Sequence, residues 1–181
     1  ETFRLAGGGT GKSADIDSYD IADKPFKQLI VWDPEDQEII SGYRLMMCKD
    51  AEREANGKLQ TPTSHLFSIS DCFHDNYLTQ TVELGRSFIQ PKYQSGNGSK
   101  KGLFSLDNLW DGLGAVVVLN SDIKYLFGKV TMYPHFNREA RNYLLAFMCY
   151  YFEDKDDLLT PIKALVTKEE LEPFKKSFEG L

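Results

Sequence analysis

The order of elements in the middle of the chain is the feature that most restricts its fold. Residues 81–90, TVELGRSFIQ, alternate apolar and polar side chains as a β-strand does, although Glu83 and Arg86 stand among them. Residues 91–102 are rich in Gly, Ser and Lys, and residues 103–120 have the length and apolar spacing of a buried helix. This order predicts a mixed α/β sheet whose loop offers backbone N–H groups to an anion.

The flanking segments supply further elements of such a sheet. Residues 28–33 and 38–48 are β-rich runs separated by PEDQ, a turn-forming cluster, and they predict an antiparallel hairpin. Residues 123–132 predict another strand, and residues 137–152 predict an amphipathic helix with Asn137 as its N-cap.

The predicted organisation is one domain over residues 1–152, followed by a charged extension over residues 153–181 that either stands apart or belongs to the same domain. The first residue is Glu rather than Met, which is what a fragment of a longer chain would show.

The stretch AGGGTGKS at residues 6–13 satisfies a loose phosphate-loop pattern. Such a loop needs a buried strand before it and a helix after it, so that backbone N–H groups and the lysine surround the phosphates. Only ETFRL precedes the motif, and the acidic ADIDSYDIADKPF that follows lacks helical periodicity. We interpret the match as accidental and do not predict a nucleotide hydrolase.

Length, charge and cysteine content restrict the class of protein. The chain has 181 residues, enough for one sizeable core, and its formal charge of -6 argues against a nucleic-acid binder. Cys48, Cys72 and Cys149 lack metal-type spacing and favour a reducing compartment. No apolar run is long enough to span a bilayer, so we expect a cytoplasmic protein, with peripheral membrane association left open.

Three motifs carry a family resemblance. DIDSYD at residues 15–20, GYRLMM at 42–47 and ELGRSF at 83–88 resemble the ordered signature of the acyl-homoserine-lactone synthase and ornithine N-acyltransferase branch of the GNAT superfamily. The whole chain resembles bacterial proteins often labelled hemolysins and grouped with glycine and ornithine lipid N-acyltransferases. The resemblance implies a GNAT-like α/β (α+β) fold with a mixed, mostly antiparallel central sheet flanked by helices.

The function implied by the resemblance is transfer of a fatty acyl group, with a 3-hydroxy acyl group favoured. The donor is an acyl carrier protein thioester, and the acceptor is the α-amine of a small amino acid such as glycine or ornithine. Acyl carrier protein is favoured over coenzyme A because the usual GNAT phosphate-loop pattern is not cleanly present. No bound cofactor or metal is expected, since His65, His74 and His135 are scattered. The alternative is a catalytically idle GNAT-like module that binds acyl carrier protein or lipid.

The resemblance also implies site residues. Glu83 matches the family's carboxylate and is the candidate general base, and Arg86 matches its arginine. Five further positions are expected to bind substrate: Asp17, Asp20, Arg44, Ser87 and Phe88. Apart from the resemblance, the position of the Gly-, Ser- and Lys-rich loop before a helix predicts that it binds the pantetheine phosphate of the donor through Ser95, Gly96, Asn97, Gly98, Ser99, Lys100 and Lys101. The lysines expected to dock an acidic carrier protein are Lys92, Lys100, Lys101 and Lys129.

Each assignment has a structural alternative. Glu83 and Arg86 could form a purely structural ion pair, and because positions three apart in a regular strand point to opposite faces, direct contact requires a bulge. Asp17 and Asp20 could cap a turn, and Arg44 could be a solubilising charge at a strand edge. The loop could be an ordinary solvated connection.

Overall fold

The computed structural model describes residues 2, 10–94, 100–133 and 135–179. In chain order, its strands and helices are β1 (Lys27–Asp33), β2 (Glu38–Met47), β3 (Phe67–Ile69), α1 (Asp71–Asn76), β4 (Thr81–Ile89), α2 (Lys100–Leu103), α3 (Ser105–Leu119), β5 (Tyr125–Gly128), α4 (Arg138–Tyr151), β6 (Leu159–Pro161) and α5 (Lys168–Lys175). Two units are formed, one from the described residues of Glu1–Thr61 and Tyr77–Gly128 and the other from those of Pro62–Asn76 and Lys129–Leu181. None of the described helices is long and apolar enough to cross a bilayer.

The first unit is built on a sheet with the strand order β1-β2-β4-β5 within the described residues. β1 and β2 pair antiparallel, as do β2 and β4, whereas β5 runs parallel to β4. The predicted hairpin is confirmed, and Asp33 Oδ1 stabilises its turn by accepting hydrogen bonds from the N–H groups of Glu35 (2.9 Å) and Asp36 (3.4 Å). The predicted mixed α/β class with a mostly antiparallel sheet is also confirmed.

The helix α3 covers one face of this sheet. Leu109 and Leu113 recur at helical spacing and are buried, with 0% and 2% of their surface exposed. The core of the unit contains Leu45, Val82 and Ile123, which pack together with partly buried residues of α3. Burial of this apolar stripe explains why a helix forms here despite two internal glycines.

Two predicted boundaries differ from the observed ones. The helix predicted over 103–120 is α3, and α2 forms a separate short segment before it. The strand predicted over 123–132 is confirmed only over β5, which ends at Gly128, its last residue paired with β4.

The second unit contains α4 and α5, whose packing is centred on Ala146, Leu171 and Phe178. Asn137 caps α4 as predicted, because its Oδ1 accepts a hydrogen bond from the Ala140 N–H at 2.9 Å. Elements on both sides of residue 152 therefore share one core. The domain boundary placed at that residue from composition stays a prediction.

Candidate active site

Glu83 lies in the middle of the sheet of the first unit. β4 pairs with a strand on each side at this point, and Glu83 stands opposite Met46 of β2 and Phe127 of β5. Only 2% of its surface is exposed. Glutamate is rarely buried to this degree, and buried titratable groups are concentrated at functional sites. The predicted base therefore occupies a position shielded from solvent.

A bulge in β4 decides the direction of Arg86. The register with β2 shifts between Gly42 and Arg44, where β4 contains one residue more than β2. Arg86 lies in this bulge with a left-handed φ of 47°. Its guanidinium reaches a carboxylate that also binds Arg44. Arg44 shares a face of β2 with Met46, the residue opposite Glu83, so the bulge brings Arg86 to the face of the sheet that carries Glu83.

Five charged residues form one network of ion pairs, here called the Asp–Arg network: Asp15, Asp17, Asp20, Arg44 and Arg86. Arg44 Nη1 donates to both carboxylate oxygens of Asp17 at 2.8 Å and to Asp20 Oδ1 at 3.1 Å. Arg86 Nη2 donates to Asp17 Oδ2 at 3.1 Å, and Arg86 Nη1 pairs with the Asp15 carboxylate. The network therefore attaches residues 15–20 to β2 and β4.

The network decides between alternatives left open by the sequence. Arg44 is not an edge charge, since only 3% of its surface is exposed. Asp17 and Asp20 do cap a turn: the Asp17 N–H donates to Asp20 Oδ2 at 3.1 Å, and the Tyr19 N–H donates to Asp17 Oδ1 at 3.0 Å. The same carboxylates also hold Arg44, so they serve both the turn and the network. Their part in substrate binding stays a prediction.

Two aspartates of the network, Asp15 and Asp17, are poor proton acceptors at neutral pH. Burial alone would raise the pKa of Asp17, but hydrogen bonds from Arg44 and the charges of Arg44 and Arg86 outweigh burial and lower it. The pKa of Asp15 is lowered as well, because hydrogen bonds from Thr10 and the charge of Arg86 outweigh burial. A general base works best with a pKa near the operating pH, so these two carboxylates are poor candidates for that role.

Two aromatic residues that the sequence analysis did not single out complete the site. The guanidinium carbon of Arg44 lies 4.9 Å from the ring centre of Phe26 and 5.9 Å from that of Tyr19. Burial, together with the negative charges of Glu83 and Asp17, raises the pKa of Tyr19, so its hydroxyl stays protonated and can donate a hydrogen bond. The only signal for Tyr19 in the sequence was its place inside DIDSYD.

Cys48 is a buried neighbour of Glu83. Its exposed fraction is 0%, and burial, with a further contribution from the charge of Glu83, raises the pKa of its thiol to about 12. The thiolate is the reactive form of cysteine, and very little of it exists at neutral pH when the pKa is this high. Cys48 therefore contributes packing beneath the site and no nucleophile.

We expect thiol reagents to distinguish Cys48 from the exposed Cys149. In the folded protein Cys149 should be alkylated readily, whereas Cys48 should react only as fast as the protein unfolds, because its thiol is inaccessible and protonated. Peptide mass spectrometry after a short pulse of iodoacetamide, with and without urea, measures both rates. Rapid alkylation of Cys48 without urea would contradict its burial.

The predicted phosphate-binding loop lies largely outside the described residues. Those that fall outside are Ser95, Gly96, Asn97, Gly98 and Ser99. Lys100 is the first residue of α2. Lys101 Nζ donates to Asp33 at 2.5 Å and to Asp36 at 2.8 Å, and these hydrogen bonds raise its pKa. The ammonium of Lys101 is thus bound to the hairpin turn, so its role in phosphate binding stays a prediction that requires these ion pairs to open.

Other lysines expected to dock a carrier protein also have partners. Lys92 Nζ pairs with Glu38, and Lys129 Nζ donates to the carbonyl O of Pro62 at 3.0 Å. Docking through these side chains stays a prediction, but the ion pair of Lys92 reduces the positive charge available for it.

The two remaining predicted substrate residues differ in their surroundings. Phe88 packs on the sheet, since a Cβ at Gly42 would lie 2.8 Å from its ring. Ser87 is exposed. Both stay predictions as substrate contacts, and Phe88 has a structural role that explains its presence on β4.

Within the described residues, the edge of β4 that faces away from β2 pairs with a strand over only part of its length, and the part without a strand partner is here called the open edge. β5 pairs with β4 only over residues 81–84, whereas β4 continues to Ile89. Beyond Gly85, no strand within the described ranges pairs with this edge. An extended molecule with amide groups can add to such an edge as another strand would. At the end of the strand, the carbonyl O of Ile89 accepts hydrogen bonds from Thr2 Oγ1 (3.3 Å) and Gln94 Nε2 (2.8 Å), so only the segment before it is available for such pairing.

Comparisons with known proteins agree with this arrangement. Residues 1–101 match the family model described as acetyltransferase (GNAT) domain. The chain is 50% identical over 179 residues to a glycine N(alpha)-acyltransferase of Phocaeicola vulgatus, covering 99% of this chain and 54% of that protein. It is 49% identical over 176 residues to a glycine N(alpha)-acyltransferase of Bacteroides thetaiotaomicron, covering 97% and 52%. The chain thus spans about half the length of these curated relatives. No solved structure matches it.

Proposed function

The chain belongs to the family of acetyltransferase (GNAT) domains, and on this basis we propose that it carries the acyl-transfer site of a glycine N-acyltransferase. The observation that carries the proposal is Glu83, a carboxylate buried in the sheet near the open edge of β4. The names of the two relatives support glycine as the acceptor. Because the chain spans about half of each relative, the activity, substrates and partners of the whole protein all belong to the proposal.

Glu83 is the general base of the proposed reaction. The acceptor ammonium must lose a proton before its nitrogen attacks the thioester carbonyl, and Glu83 accepts that proton directly or through a water molecule. The new N–C bond forms, the C–S bond breaks, and a second proton passes from the nitrogen to the leaving sulfur. The products are an N-acyl amino acid and a free thiol, and Glu83 returns its proton to solvent.

The pantetheine arm of the donor lies along the open edge of β4 in this proposal. Its amide groups can pair with the backbone beyond Gly85 as an added strand does. Backbone N–H groups at the same edge can stabilise the negative charge that develops on the thioester oxygen. The residues predicted to bind the phosphate, 95–101, follow β4 in the chain.

The donor is proposed to be a 3-hydroxy fatty acyl thioester of acyl carrier protein, and the product an acyl-amino-acid lipid. The departure of residues 91–102 from the usual GNAT loop pattern favours the carrier protein over coenzyme A. Glycine is preferred to ornithine as acceptor because both relatives are named for glycine.

A direct assay of the full-length protein tests the proposal. The protein is supplied with 3-hydroxyacyl thioesters of acyl carrier protein or coenzyme A and with a mixture of amino acids. We expect mass spectrometry to detect N-acylglycine together with an equal amount of free thiol, formed faster from the carrier protein. Binding of the donor without thiol release would instead favour the alternative, a non-catalytic module for acyl carrier protein or lipid.

A further inference from the structure

The first unit contains a cavity of about 800 Å³ between its sheet and α3. The strands β1, β2 and β4 contribute apolar walls through Leu29, Leu45, Met47 and Val82, and α3 contributes Val116. The volume lies within the range of cavities that enclose small-molecule ligands. The cavity is therefore large enough to hold a ligand of its own.

The cavity lies on the face of the sheet opposite Glu83. In the pairing of β2 with β4, Met46 stands opposite Glu83, whereas Met47, the next residue along β2, stands opposite Val82. Neighbouring residues of a strand point to opposite faces, so Met47 and Val82 line the cavity on the face away from Glu83. The sheet therefore separates this cavity from the proposed base, and a ligand held in it takes no part in the proposed acyl transfer.

The charged groups of the cavity lie at its opening. Three of the described lining residues are charged, namely Lys24, Lys27 and Asp50, and all three are exposed to solvent. Within the described residues, neither Lys24 nor Lys27 forms an ion pair, in contrast to Lys92 and Lys101. The opening thus carries two positive charges and one negative charge.

These walls and this opening restrict the chemistry of a ligand. A sugar or a nucleotide would leave polar groups without partners against the apolar walls, which is unfavourable, whereas an aliphatic chain would not. The two ammonium groups at the opening attract a negatively charged group. A molecule with one aliphatic chain and an anionic end matches both features.

We propose that this cavity binds a single-chain anionic amphiphile such as a free fatty acid. Its chain lies between the sheet and α3, and its carboxylate pairs with Lys24 and Lys27. Lys27 stands opposite Leu45 in the pairing of β1 with β2, so both residues belong to the face of the sheet that lines the cavity. This site goes beyond the proposed function and does not depend on it.

A displacement assay on the full-length protein tests the chemical class of the ligand. The probe is undecanoic acid with a dansyl label, and the competitors are dodecanoate, dodecanol and dodecylamine, which share a chain length and differ in charge. Dodecanoate should displace the probe about tenfold better than dodecylamine, because two exposed charges favour the anion. Added salt should reduce this preference by screening those charges.

Val116→Phe tests the position of the chain. The larger side chain would occupy part of the cavity and should weaken dodecanoate binding by at least about tenfold. Val118→Phe is the matched control on the same helix, because Val118 is 81% exposed and does not line the cavity. This variant should bind dodecanoate as the wild type does.

A charge reversal tests the position of the carboxylate. The double variant Lys24→Glu and Lys27→Glu should lose the preference for dodecanoate over dodecylamine. The control is the double variant Lys12→Glu and Lys58→Glu, which reverses the same number of exposed charges away from the cavity and should keep the preference.

Three results would each overturn the inference: no saturable binding of the probe, equal binding by Val116→Phe and Val118→Phe, or an unchanged preference after reversal of Lys24 and Lys27. If Val116→Phe does not fold, Gly112→Ala takes its place. A Cβ at Gly112 would lie 3.0 Å from Leu29 Cδ1 and push this lining side chain toward the cavity, whereas a Cβ at Gly114 has no neighbour within 4 Å. Gly112→Ala should then bind dodecanoate more weakly than Gly114→Ala, and equal affinities would overturn the inference.

Discussion

Glu83→Gln is expected to lower the rate of acyl transfer by roughly 10²- to 10⁴-fold, the usual contribution of a positioned general base. Glutamine has nearly the same shape as glutamate but cannot accept the proton of the acceptor amine. The side chain is buried and the backbone of β4 is paired on both sides at this residue, so the substituted amide should stay in the same place. Thiol release under saturating donor and glycine measures the effect.

Two controls accompany this measurement. Glu153→Gln removes an exposed carboxylate and should leave the rate unchanged. The thermal unfolding of Glu83→Gln should remain cooperative, because the substitution removes a buried charge without changing the packing volume. A folded Glu83→Gln variant that turns over at the wild-type rate would exclude Glu83 as the base.

Arg44→Met is expected to lower the free energy of unfolding by about 3–5 kcal/mol, the range found when one partner of a buried ion pair is removed. Methionine fills part of the space of the arginine stem but leaves Asp17 and Asp20 without the guanidinium that holds them. Urea denaturation measures the loss. Lys92→Met is the matched control, because the ion pair of Lys92 with Glu38 is exposed and should contribute little.

The pH dependence of the difference in unfolding free energy between the wild type and Arg44→Met provides a separate check. The pKa of Asp17 is lowered in the folded protein, since Arg44 and Arg86 outweigh the effect of burial. The stabilisation linked to this shift is fully present above the ordinary value of 3.8 and is lost as the pH falls through the lowered value. The gap in stability between the wild type and Arg44→Met should therefore narrow in acid. A gap that stays constant would mean that Arg44 stabilises the fold by packing alone.

The fold class and most elements could be predicted from the sequence because they depend on local patterns. Apolar periodicity identified the hairpin, β4, α3 and α4, and the side chain of Asn137 identified the start of α4. The end of β5 was placed too late, since the apolar run continues beyond Gly128 although pairing with β4 stops there. The end of a strand depends on where its pairing with a neighbouring strand stops. The sequence of one segment does not show which residues have such a partner.

The family resemblance selected the residues that meet in the site, but it did not reveal how they meet. Asp17 and Arg44 are 27 positions apart, and Asp15 and Arg86 are 71 positions apart. Whether these residues come into contact depends on how the whole first unit folds, and not on any one segment. Lys101 is a second example: its role as a phosphate ligand stays a prediction, and only the fold shows that its ammonium pairs with the carboxylates of Asp33 and Asp36.

The sequence by itself determined the alternation of strand, loop and helix, and the presence of charged residues in an apolar strand. Only the tertiary structure decided which side of the sheet those charges occupy. A regular strand alternates faces at every residue, and the bulge at Arg86 breaks that alternation and turns its guanidinium toward Asp17.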